Sequence, residues 1–107
     1  SRDLAAFGAT LAAGGRNPVT GRVGAPREHC RTAMAVLLSC GMYGQSGEFL
    51  VHAGIPAQSG VGGGIMAPVP GRAGIGVIGP ALNHTGNSSG GVQLLCALSR
   101  ELDLSIL

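Results

Sequence analysis

Near the start of the chain, Leu4, Phe7, Gly8, Leu11 and Ala12 recur on one face of a 3.6-residue repeat. That spacing predicts a first helix. Ser1 or Asp3 can cap its start, and Gly14-Gly15 can end it in the left-handed conformation that helix ends favour. Asn17-Pro18-Val19-Thr20-Gly21 reads as a turn. A second stripe, Cys30, Ala33, Met34, Leu37 and Leu38, predicts a helix that ends near Gly41. It begins near Pro26, whose missing N–H costs nothing in a first turn. From Met42 to Val51, Gly44 and Gly47 interrupt the period, which leaves a short helix or an irregular turn open. Gly54 and Pro56 then break the chain again.

The pattern changes after residue 60. Val61 to Val69 and Gly74 to Ile78 read as strands of an antiparallel hairpin. Pro70-Gly71 suits the two central positions of its turn. Pro68 cannot donate to a ladder, so a bulge or an unpaired position is expected there. Gly79 to Gly86 reads as a loop. Asn87, Ser88 or Ser89 caps a last helix with Val92, Leu95, Cys96 and Leu102 on one face and Leu98 beside them. The order helix, helix, hairpin, helix is α+β, with helices packed on an antiparallel hairpin. Two strands alone are marginal, so further strands are expected from an N-terminal part or a partner chain.

Composition narrows this picture. A chain of 107 residues allows one small domain. Hydrophobic residues make up 45% but aromatic residues only 3%, so the core must be aliphatic. The net charge of +2 is spread along the chain, without the basic cluster that nucleic acid requires. No apolar run approaches the length of a membrane span. All seven basic residues are Arg, so this chain cannot itself complete a mechanism that needs a lysine. Cys30, Cys40 and Cys96 are odd in number and lack a C-x-x-C spacing, which argues against a disulfide framework or a zinc site. They read as buried, unreactive thiols. His29, His52 and His84 show no metal-ligand spacing.

Two segments could carry chemistry. In Gln58-Ser59-Gly60-Val61-Gly62-Gly63-Gly64, glycines beside a strand leave N–H groups uncovered, as an oxyanion site requires. Tight packing of the strand against a helix is the reading that the spacing alone favours. The absence of Lys rules out a phosphate loop. In Cys40-Gly41-Met42-Tyr43-Gly44 stands the chain's only tyrosine, which taken alone reads as a packing residue with its hydroxyl on a partner. No Ser, His and Asp can be assembled into a triad.

Five runs occur in order: Gly14-Gly15-Arg16-Asn17-Pro18-Val19-Thr20-Gly21, Cys40-Gly41-Met42-Tyr43, Gly54-Ile55-Pro56-Ala57-Gln58-Ser59-Gly60-Val61-Gly62-Gly63-Gly64-Ile65, Val69-Pro70-Gly71 and Gly86-Asn87-Ser88. Together they resemble the C-terminal part of the serine-dependent glutaminases over essentially the whole chain, residues 1–107. The resemblance implies part of a β-lactamase-like fold. It also implies hydrolysis of L-glutamine to L-glutamate and ammonia, in the cytoplasm, by a homo-oligomer without metal or organic cofactor. The nucleophile there is the serine of an S-x-x-K motif, expected in the N-terminal part of the domain and absent from these residues. Two positions carry over: Tyr43 as the catalytic and substrate-binding tyrosine, and Val61 as the residue whose backbone N–H binds the oxyanion. Gln58 stands where the family usually has lysine, Gly44 where Asp is common, and Gly79-Pro80-Ala81-Leu82-Asn83 where S-P-P-L-D is usual. These departures leave a second expectation, a catalytically inactive glutaminase-like interaction or assembly module.

Overall fold

The computed structural model describes residues 1–107. The helices are α1 (Arg2–Ala12), α2 (Arg27–Cys40), α3 (Ser46–Ala53) and α4 (Ser89–Leu102), with a 3-10 turn at Tyr43–Gln45. The strands are β1 (Gln58–Ser59), β2 (Gly64–Val69) and β3 (Ala73–Ile78). The class is α+β, as the hydrophobic pattern predicts. No helix is long and apolar enough to cross a membrane.

The sheet has three strands in the order β1-β2-β3, all antiparallel. The extra strand thus comes from within this chain, by pairing of Gln58 with Met66 and of Ser59 with Ile65. Two residues without alternation offer a sequence pattern nothing to detect. Val61, expected inside a strand, lies in the turn joining β1 to β2. Pro68 sits in unbroken register opposite Gly74, without a bulge. Pairing with β1 ends at Met66, so Pro68 has a strand on one side only and its missing donor breaks no ladder there. At the β2–β3 turn the Arg72 N–H donates to the Val69 carbonyl at 2.9 Å, and Gly71 takes the positive φ of 71° that a type II turn demands.

Both sheet faces are covered, following the period-2 alternation. On one side, Gly64, Met66, Gly74 and Gly76 lie against α1, which crosses β2 and β3. The approach is close enough that a Cβ at Gly74 or Gly76 would strike the α1 backbone. On the other side, Ile65, Ala67, Val69 and Val77 join Met42, Ile55, Leu95, Leu104 and one aromatic residue, Phe49, in a single hydrophobic core. The buried Ser99 hydroxyl of α4 donates to the Ala53 carbonyl at the end of α3. Two expectations for apolar faces are corrected, since Phe7 and Leu102 are more than half exposed, and so is the reading of all three cysteines as buried, since Cys30 is buried but Cys40 is exposed.

Candidate active site

The site forms where the end of α2 meets β1. The Gly41 carbonyl accepts the Ser59 N–H at 2.9 Å. This approach needs glycine, because a Cβ at position 41 would collide with the Ala57 and Leu37 carbonyls. The next residues turn sharply, and Tyr43 has a φ of 55°. Only one other non-glycine residue has a positive φ, Asp103 at the end of α4. Asp tolerates that region, but for a bulky tyrosine it is a strained conformation that costs on the order of 1–3 kcal/mol, and such strain clusters at functional sites.

From this backbone the phenol reaches β1. The Tyr43 hydroxyl donates to the Ser59 carbonyl at 3.3 Å. That carbonyl also accepts from the Gln58 side-chain amide at 2.8 Å. The shared acceptor is held more tightly by Gln58, so the phenol makes the longer and weaker of the two bonds. Tyr43 remains partly open to solvent, and Gly86 lies beside its ring.

Two residues beyond Ser59 comes Val61, 74% exposed in the glycine turn. The turn is closed by its neighbours: the Gly60 N–H donates to the Gly64 carbonyl and the Gly63 N–H to the Gly60 carbonyl, both at 3.0 Å. The Val61 N–H has no acceptor within the chain. A backbone donor left free in a turn flanked by residues without side chains is what binding of a developing oxyanion requires. Of the two sequence-predicted residues, Tyr43 is thus hydrogen-bonded to β1 and Val61 lies in the turn that follows the same strand. A shallow groove of about 320 Å³ runs along that strand, lined by Gln58, Ser59, Gly60 and Gly62 and by Leu4 and Phe7 of α1. The largest cavity, about 760 Å³ between α1 and residues 17–20, contains neither predicted residue.

Sequence reasoning misses a polar cluster behind Tyr43. Of the three caps the sequence offers for α4, Asn87, Ser88 and Ser89, the structure uses Ser88, whose Oγ accepts from the Gly91 N–H at 3.1 Å. Asn87 is fully buried, and its Nδ2 donates at 2.9 Å both to the Met42 carbonyl and to Gln45 Oε1. Asn83 Nδ2 donates to the same Gln45 oxygen at 3.0 Å. Two buried oxygens, Ser59 Oγ and Asn87 Oδ1, find no partner in the protein. The only hint in the sequence is that Asn83, Thr85 and Asn87 alternate through a loop. Their partner Gln45 lies 42 residues from Asn87, beyond the reach of any local pattern.

A family model described as Glutaminase matches residues 1–107. A curated relative named Glutaminase 2, from Clostridium perfringens, is 55% identical over 106 residues, which is 99% of this chain and 35% of that protein. A Clostridium botulinum glutaminase is 52% identical over 105 residues, 98% of this chain and 34% of its own length. Among solved structures, a Bacillus subtilis glutaminase in covalent complex with 5-oxo-L-norleucine superposes with a TM-score of 0.95 at 41% identity, covering 99% of this chain and 39% of that one. A Bacillus glutaminase in 4.3 M NaCl gives a TM-score of 0.96 at 41% identity, covering all of this chain and 38% of that one. The chain thus spans about a third of the length of the curated relatives it matches.

Proposed function

This chain belongs to the glutaminase family, and on that footing we propose that the protein carrying it hydrolyses L-glutamine to L-glutamate and ammonia. The covalent 5-oxo-L-norleucine complex of the Bacillus relative supports this reading. That adduct keeps the carbon skeleton of glutamine and carries a ketone where glutamine has its side-chain amide. In the proposed reaction a serine outside this chain attacks the amide carbon. The Val61 N–H stabilises the oxyanion of the tetrahedral intermediate. The Tyr43 phenol takes part in passing the serine proton to the leaving ammonia. Water then hydrolyses the glutamyl-serine ester and regenerates the serine. We assign residues 1–107 to the C-terminal part of the domain. Cytoplasmic residence, self-association and turnover without metal or organic cofactor belong to the same proposal.

The observation that carries the assignment is the strained Tyr43, whose phenol is hydrogen-bonded to β1 two residues before a free backbone donor. The test is Tyr43→Phe in the protein at the full length of its relatives. The variant should keep its fold and lose roughly a hundredfold or more in kcat, the usual scale for removing a proton-transfer group. Ammonia release at an unchanged rate would remove the role of Tyr43.

One observation favours the second reading, an inactive assembly module. The head group of Gln58, at the position where the glutaminases usually have lysine, is neutral and bonded to its own strand. Assay of the full-length protein separates the two readings. Glutamine turnover supports the enzyme. A stable, oligomeric and inert protein supports the module.

A further inference from the structure

We infer that Ser46 and Asn87 are positioning residues that lock Tyr43 into its left-handed backbone conformation and so aim its phenol at β1. The two peptide planes that flank the Tyr43 Cα are each pinned by a buried side chain. On the N-terminal side, the Met42 carbonyl accepts from Asn87 Nδ2 at 2.9 Å and from the Gln45 N–H at 3.1 Å. On the C-terminal side, the Tyr43 carbonyl accepts from Ser46 Oγ at 2.7 Å. The same Ser46 oxygen accepts the Met42 N–H at 3.0 Å, which closes the turn on itself.

The direction of a side chain follows from the orientation of the two planes meeting at its Cα. With both planes fixed, the phenol has only its own rotamer freedom left, and the Ser59 carbonyl takes that up. Tyrosine does not adopt a positive φ unaided. The conformation persists only if the surroundings over-determine it, and here they do so through a hydroxyl used as both donor and acceptor and a fully buried amide. Ser46 is 6% exposed and Asn87 0%, so water competes with neither. Asn87 also ties this turn, through Gln45, to the loop that places Gly86 beside the tyrosine ring. The catalytic consequence rests on the reading of Tyr43 given above, whereas the conformational lock does not.

The experiment separates the two. The backbone φ of Tyr43 is measured by nuclear magnetic resonance in the protein at the full length of its relatives, from scalar couplings and residual dipolar couplings. The wild type should show a positive φ. Ser46→Ala should lose it while the α1 and β3 resonances stay in place, and Ser46→Thr, which keeps a hydroxyl, should retain it. A Tyr43 torsion that is not positive in the wild type, or that is unchanged in Ser46→Ala, would overturn the inference. Should Ser46→Ala not fold, amide exchange in the wild type decides. The Met42 N–H, held by the Ser46 hydroxyl, must then exchange far more slowly than the unpaired Val61 N–H, and equal rates would overturn the lock. In the full-length protein, Ser46→Ala should lower kcat at least tenfold with little change in KM, and Ser46→Thr should restore most of it. A torsion that responds to Ser46→Ala while turnover does not would leave the lock standing and remove the proposed role of Tyr43.

Discussion

Tyr43 and the three cysteines show how differently single residues read in sequence and in space. Tyr43 is a lone tyrosine of ordinary composition, and only its motif hints at a role. In the fold it holds a strained φ and a long hydrogen bond to a carbonyl already served by Gln58. The cysteines look alike in sequence, yet Cys30 is buried, Cys96 half-buried and Cys40 exposed. Burial pushes the Cys96 thiol above its ordinary pKa, with Arg100 lowering it and Glu48 raising it. A raised pKa leaves less thiolate at neutral pH, and the thiolate is the reactive form. Cys40 should therefore alkylate fastest, Cys96 more slowly and Cys30 last. Mass spectrometry after timed labelling with iodoacetamide at neutral pH checks the order.

At the scale of elements, glycines divide into those that fit two backbones together and those that do nothing of the kind. Gly74 and Gly76 of β3 press against α1, and an added Cβ would meet backbone atoms that cannot yield. Gly74→Ala should therefore cost about 1–3 kcal/mol, the scale of overpacking. It should lower Tm in a thermal melt by several degrees, roughly 4–8 °C per kcal/mol for a domain near this size. Gly90, in the first turn of α4, faces open space. Gly90→Ala should raise stability by up to about 1 kcal/mol, the helix-propensity gap between the two residues. A destabilised Gly90→Ala would mean that α4 begins later than Ser89. The sequence marks both positions only as Gly.

The whole molecule is a three-layer arrangement: α1, the sheet, then α3 with α4. Its ends are tied by the Arg72 guanidinium, which donates to the Asp103 carbonyl at 2.7 Å, and by the Gly71 N–H on the Ala12 carbonyl at 2.9 Å. The sheet nonetheless ends on β3 at one edge and on the two-residue β1 at the other. Exposed strand edges template pairing with other chains. The 107-residue chain alone should accordingly associate with rising concentration in analytical ultracentrifugation, and a concentration-independent melt of a monomer would contradict that. It should also release no ammonia from glutamine, because it contains no lysine for a serine–lysine pair. A coupled ammonia assay on the purified chain measures this directly.

The amino-acid sequence by itself determined what local periodicity and ordered motifs can carry. It indicated a first helix ended by Gly14-Gly15, a second from near Pro26 to near Gly41 and a last one beginning near Asn87 to Ser89, the hairpin with its Pro70-Gly71 turn and the α+β class, and it singled out Tyr43 and Val61 as candidates. Each rests on neighbours within a few turns of chain, or on a run of residue types that survives without coordinates. Tertiary structure alone decided the rest: β1, the continuous register through Pro68, the half-exposed Phe7 and Leu102, and the Ser46–Asn87 lock on Tyr43. In each of these the deciding partner lies far away along the chain or on another face of the sheet. Burial and hydrogen bonding at such distances follow from packing, and packing leaves no period in the sequence to read.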